Sequence, residues 1–234
     1  MNTTTEASKA APATATLRLD QSVAKNLFFG EIVEENLFPY PVMRERDREL
    51  LGMMVDSIDR FLADKRADFR HWDKDAHQPP EFIQALRELG LFGLIIPEAH
   101  GGLELSNAAY ARVLAQTSSH DSSVSLTIGA HSSIGRKGGL LFGNEEQKAR
   151  YLPKLASGEM VGAIAMSEPA AGSDLQGVKS TAIKQADGSY LLNGSKTFIT
   201  NGYQADLVIV ATRTDPTKGA KGITLFMVED GMEG

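Results

Sequence analysis

Residues 165–174 read AMSEPAAGSD and residues 193–202 read NGSKTFITNG. The first stretch follows a short apolar run, VGAIAM, with the character of a strand. It gathers Ser167, Glu168, Pro169, Gly172, Ser173 and Asp174 where that strand ends. A strand running into a Pro/Gly turn exposes successive backbone N–H groups, which can bind the anionic edge of a heterocycle or a pyrophosphate. Ser167 and Ser173 add hydroxyl donors. A plain strand-end turn explains the same residues, and spacing alone favours it. Glu168 has the chemistry of a general base, but an acid beside a proline in a turn is more often structural, so the base is not assigned to it. In the second stretch Phe198, Ile199 and Thr200 read as mid-strand residues before a turn. An aromatic ring with a nearby hydroxyl packs on a flat ring and donates to it. Taken alone, simple strand packing is the stronger reading.

Other chemistries are excluded by what is missing. The 234 residues contain no cysteine, which removes disulfides, thiolate nucleophiles and Cys-ligated zinc and fits a reducing compartment. His71, His77, His100, His120 and His131 show no metal-binding spacing, and each is expected to be a surface or capping histidine. No GxxxxGK[ST], GxGxxG or GxSxG is present. A net charge of −6 without a basic block argues against nucleic acid as a partner. No apolar run is long enough to cross a bilayer. The first residues, MNTTTEASKAAPATATLRLD, lack the apolar centre of a secretory signal and read as a disordered tail.

The elements that must position the two stretches change period near residue 160. From 43 to about 160 the chain reads mostly as helix. MRERDRELLGMMVDSIDRFLADK carries Leu50, Leu51, Met54, Ile58, Phe61 and Leu62 at helical spacing. EFIQALRELG opens after Pro79-Pro80 and ends at Gly90. SNAAYARVLAQTSSHD reads as a helix, and the Ser/Gly-rich run 122–135 allows one. NEEQKARYLPKLASGE has a capping box from Asn144 to Gln147, and Pro153 is expected to stop or kink it. Beyond residue 160, VGAIAM, KSTAIKQA, SYLLNG, KTFITNG, ADLVIVATRT and GITLFMVE read as short strands, with Asp187-Gly188 the strongest hairpin turn. The expected fold class is α+β: an N-terminal all-helical domain over 39–160, then an antiparallel β-barrel-like middle domain over 161–234, incomplete at its end. Residues 1–38 are expected to be disordered or extended.

Together the two stretches resemble the acyl-CoA dehydrogenase family. AMSEPAAGSD is similar to its TEPxxGSD segment and KTFITNG to its K-x-[WF]-I-[TS]-N-[GA] segment, in the same order and at matching separation. LGLFGLIIPEAHGG resembles the family's helical-domain loop, and GNEEQKARYLPKLASGE its helix leading into the sheet. The resemblance runs from about Pro39 to the end. NLFFGEIVEENLFPYP is similar to the entry segment of the very-long-chain branch. Ser167 stands where the family often has Thr, which keeps the hydroxyl, and Phe198 where Trp is common.

The resemblance implies bound FAD, an acyl-CoA substrate, α,β-dehydrogenation to the trans-2-enoyl-CoA, and electron-transfer flavoprotein as electron acceptor. It implies that Ile164, Ala165, Met166, Ser167, Gly172, Ser173, Phe198, Ile199 and Thr200 line the flavin, with Ser173 also contacting the CoA part of the substrate. No metal is implied. The family's catalytic Glu lies in a C-terminal helical bundle expected beyond Gly234, so no catalytic residue is assigned here and this chain alone is expected to be inactive. A homo-oligomer is expected at full length. Ser125 and Gly129 in the run 122–135 suggest either a deep pocket for a long acyl chain or close helix packing. The weak resemblance of the N-terminus to a transit peptide favours bacterial cytoplasm over mitochondrial matrix. Two alternatives share the scaffold or abandon the chemistry: an acyl-CoA oxidase or flavin monooxygenase, and a non-catalytic short form that binds acyl-CoA or partner subunits.

Overall fold

Met54, Ile58 and Leu62 recur every fourth residue and are all buried, so helix α2 (Glu45–Ala63) turns one apolar stripe inward. The computed structural model describes residues 22–38 and 42–233. The chain divides into two units, Met1–Val42 and Met43–Gly234.

In the first unit, α1 (Val23–Phe28) is a short helix, followed by a single 3-10 turn at Glu34–Asn36. The expected disordered or extended segment over 1–38 is corrected here for the described part. Asn26 N–H donates to Ser22 C=O at 3.0 Å, and Asn26 C=O accepts from Phe29 and Glu31 N–H, so local hydrogen bonds close the helix. Residues 1–21 lie outside the described residues.

In the second unit the helices come first. The helix α3 (Arg66–Asp75) ends on Ala76, at a left-handed φ of 50°. Helix α4 (Pro80–Glu88) has proline at its first position, where the missing N–H costs nothing, and its exit passes through Gly90 at φ 71°. Phe69, Trp72 and Phe82 pack these helices together, with the Trp72 and Phe82 rings 4.7 Å apart. Helix α5 (Asn107–His120) is capped by Ser106 and α6 (Ser122–Gly129) by Asp121. A π-turn over Ala130–Gly135 joins α6 to α7 (Arg136–Phe142). The capping box of Asn144 and Gln147 opens α8 (Glu145–Ser157). Pro153 does not stop α8, which continues to Ser157 with Tyr151, Leu152, Leu155 and Ala156 buried. Burial of this face outweighs the single hydrogen bond that proline removes.

The strands are β1 (Gly162–Ala165), β2 (Thr181–Lys184), β3 (Tyr190–Asn193), β4 (Leu207–Arg213) and β5 (Ile223–Glu229). They form one sheet in the order β1-β4-β2-β3, with β5 also on β4. The α+β division holds, but the sheet is mixed rather than antiparallel. The β2–β3 hairpin turns at Asp187-Gly188, and β4–β5 is antiparallel. β1 runs parallel to β4 with Ile164 opposite Ile209, and Thr181 of β2 is parallel to Arg213. A tight turn dictates antiparallel pairing only for the strands it joins. β1 reaches β4 through a long connection holding the whole β2–β3 hairpin, so no turn constrains that pair.

Candidate functional site

Where β1 ends, the chain makes a four-residue turn. Glu168 and Ala171 exchange backbone hydrogen bonds, N–H to C=O, at 2.8 and 3.1 Å. Beyond it Asp174 caps a 3-10 turn over Leu175–Gly177. Gly172 and Ser173 are exposed, and open space surrounds the position of a Cβ on Gly172. The expected strand over KTFITNG is corrected. Residues 194–200 are irregular, and Ile199 C=O accepts from Gly202 N–H to close a turn. Phe198 sits at φ 55° and Asn201 at φ 65°. A left-handed non-glycine residue costs roughly 1–2 kcal/mol, and for an aromatic residue it marks strain held by its surroundings.

Two anchors hold that strain. At the near end Thr197 N–H donates to Ser167 C=O at 3.0 Å, which sets the two stretches side by side. Lys196 Nζ donates to Met166 C=O at 3.1 Å and to Glu168 Oε1 at 2.8 Å. At the far end the Asn201 amide donates to Thr127 C=O of α6 at 2.9 Å and accepts from Gln204 at 3.1 Å. Between the anchors Phe198 is 93% exposed. The hydroxyls of Ser167, Ser173 and Thr200 make no hydrogen bond among the described residues.

Glu168 is not a base in waiting. Its carboxylate accepts four hydrogen bonds, from Lys179 N–H, Ser180 N–H, Ser180 Oγ–H and Lys196 Nζ. Burial pushes its pKa up, and the bonds from Lys196, Ser180 and Lys179 outweigh that and leave it at about 2.

β1 itself is held from behind by a histidine. His131 is fully buried, which corrects its expected surface or capping place. Its Nε2 donates to Leu155 C=O at 2.9 Å and its Nδ1 accepts from Gly162 N–H at 2.9 Å. Those partners fix one tautomer. Burial lowers its pKa to about 4, so the ring is neutral. Nothing in its spacing signalled this, because both partners are backbone groups more than 20 residues away.

A cleft of about 440 Å³ lies between the ends of α3 and α6 and the 199–204 turn. Phe69, Trp72, Leu126 and Tyr203 supply apolar wall, and Gln78, Thr127 and Asn201 polar wall. Of the expected flavin-lining residues it takes in Ile199 and Thr200; Ile164, Ala165, Met166, Ser167, Gly172, Ser173 and Phe198 lie outside its wall. Ser125 and Gly129 lie outside it too. Ser125 Oγ–H donates to Leu114 C=O at 3.2 Å, and a Cβ on Gly129 would meet Leu114 and the Tyr110 hydroxyl at 3.7 Å. These small residues pack α6 against α5. Lys196 and Asn201 were legible only as parts of a motif; their anchoring roles were not.

Residues 48–159 match the acyl-CoA dehydrogenase N-terminal domain, and residues 163–234 match the acyl-CoA dehydrogenase middle domain. The chain belongs to the acyl-CoA dehydrogenase family. It is 42% identical over 223 residues to the mitochondrial very long-chain specific acyl-CoA dehydrogenase of Homo sapiens, covering 92% of this chain and 34% of that one. Among solved structures it is similar to butyryl-CoA dehydrogenase from Megasphaera elsdenii, with a TM-score of 0.76, 34% identity, and 83% and 51% of the two chains covered. It is also similar to an acyl-CoA dehydrogenase of Bacillus anthracis complexed with FAD, with a TM-score of 0.70, 33% identity, and 88% and 35% covered. The chain therefore spans about a third of the length of the human relative and about half that of the Megasphaera enzyme. Among the described residues, no helix of this acyl-CoA dehydrogenase family member is long and apolar enough to cross a membrane, and no cluster of three metal-ligating side chains occurs.

Proposed function

We propose that this chain supplies the flavin-facing part of an FAD-dependent acyl-CoA dehydrogenase that acts on long acyl chains. The observation that carries the reading is the pairing of Thr197 N–H with Ser167 C=O. It sets side by side the two stretches whose residues match the family's flavin segments, which supports reading them as one face. That face has the chemistry a flat, polar-edged ring needs: an exposed aromatic at Phe198, hydroxyls at Ser167, Ser173 and Thr200 free to bond, and an open glycine at Gly172. FAD, when bound, supplies the hydride acceptor for α,β-dehydrogenation. Ile164, Ala165, Met166, Ser167, Gly172 and Ser173 with Phe198, Ile199 and Thr200 bind and orient the ring, and Ser173 also meets the CoA part of the substrate. Electron-transfer flavoprotein takes the electrons away. We assign the proton-removing carboxylate to no described residue; Glu168 is consumed by its four hydrogen bonds. The boundary between the helical and β domains falls between Ser157 and Gly162.

The similarity to very-long-chain enzymes supports the substrate class. The test is bleaching of flavin absorbance in the protein purified from its source, titrated with short, medium and long acyl-CoAs. Fastest bleaching by long chains is expected. A profile peaking at short chains would remove the long-chain assignment, and no bleaching by any acyl-CoA would remove the dehydrogenase.

A further inference from the structure

Glu168 and Lys196 are each within a few residues of the flavin-facing positions, yet neither points at that face. Their side chains are only 5% and 11% exposed and meet at 2.8 Å. Burial of an ion pair is costly, and replacing one with apolar groups is often neutral or stabilising, so its presence calls for a role other than stability. Its connections suggest that role. Lys196 Nζ also holds Met166 C=O, one residue before Ser167. Thr197, next to Lys196, holds Ser167 C=O. Glu168, next to Ser167, is itself held by the 179–180 backbone leading into β2. The approach to Lys196 passes Gly194, at φ 157°, where a Cβ would lie 2.1 Å from Ser180 Oγ, the same hydroxyl that bonds Glu168. Two other segments, 179–180 and 194–196, converge on the Glu168 carboxylate.

We propose that the Glu168–Lys196 pair is a positioning latch: it fixes the spacing of Ser167 against Phe198 and Thr200, and so makes two loops into one preformed flavin face. Neither residue touches the cofactor. The latch acts through Met166 C=O and Thr197 N–H, and it maintains the left-handed Phe198 that follows. The inference rests on the cofactor reading given above, but the latch can be tested separately from it.

The single variant Lys196→Met leaves a buried carboxylate unpaired and risks unfolding, so the deciding variant is the neutral pair Glu168→Gln with Lys196→Met. Two quantities are read on the folded protein: hydrogen exchange at the Thr197 amide, and affinity for FAD by quenching of flavin fluorescence. The expected result is at least tenfold faster exchange at Thr197 with the helices unchanged, together with at least tenfold weaker FAD binding well below the melting temperature. Unchanged exchange at Thr197 overturns the latch. Faster exchange with unchanged FAD affinity overturns its link to the cofactor. Failure of the unaltered protein to bind FAD counts against the cofactor reading instead, and the latch is then decided by exchange at Thr197 alone.

Discussion

Gly162 N–H donates to Nδ1 of His131 at 2.9 Å, and Gly135, in the same π-turn as His131, packs against the backbone of Gly162. The first residue of β1 is therefore fastened to the helical layer at two points. The strand that ends in the 165–174 stretch takes its position from the helices.

The histidine makes that fastening pH-dependent. Its folded pKa of about 4 lies below the ordinary histidine value of 6.5, so the unfolded chain takes up the proton first as pH falls. The stabilisation is complete above about 6.5 and is lost progressively towards 4, by about 3 kcal/mol in total. Chemical unfolding across this range should show the slope, and His131→Gln should remove that component while retaining a donor to Leu155 C=O. A slope equal in both proteins contradicts the buried neutral ring. Glu168 acts in a lower window: its carboxyl is held at about 2 against an ordinary value of 4.5, so its contribution is present above 4.5 and fades as pH falls towards 2.

Replacing Phe198 with glycine should separate strain from binding. The ring is 93% exposed, so little packing is lost, and glycine accepts φ 55° without penalty. Phe198→Gly is expected to raise stability by about 1 kcal/mol while weakening FAD binding. A less stable variant would show that Phe198 is not held against its preference.

Asn201 should behave in the opposite way. Asn201→Ala loses the bonds to Thr127 C=O and Gln204 and leaves a Cβ residue at φ 65°, at a cost of about 1–3 kcal/mol. Asn201→Gly keeps the backbone permissive and should cost less. Equal melting temperatures for the two variants would contradict the left-handed backbone at Asn201, and an Asn201→Ala variant as stable as the unaltered protein would deny the turn its second anchor.

The local features were legible in the sequence for a physical reason. A capping box spans four residues, a tight turn two, and an apolar helix face repeats every three to four, so Asn144–Gln147, Asp187-Gly188 and the stripe of α2 could be read directly. The features that needed distant partners could not. The β-branched and aromatic residues of KTFITNG suit a strand, and only the anchors at Lys196 and Asn201 bend them into a turn. The parallel pairing of β1 with β4 and the burial of His131 depend on groups 24 to 45 residues away. The candidate flavin residues were found through motif resemblance; the ion pair behind them joins residues 28 apart and leaves no local pattern.

Gly135 tests the close approach that this arrangement needs. A Cβ there would lie 2.5 Å from Gly162 C and 2.7 Å from its O, both backbone atoms that cannot rotate away. Gly135→Ala should destabilise by about 1–3 kcal/mol, read from thermal unfolding. Gly172→Ala, whose Cβ would meet open space, is the matched control and should leave the melting temperature unchanged. A harmless Gly135→Ala would mean that the π-turn and β1 are farther apart than this structure has them.

The central claim is that two stretches, Ile164–Ser167 with Gly172 and Ser173, and Phe198–Thr200, form one flavin face. The most direct measurement is hydrogen exchange on the protein purified from its source, with and without FAD. Protection concentrated at those two stretches is the predicted result. Protection confined to other segments, or none on adding FAD, would contradict it.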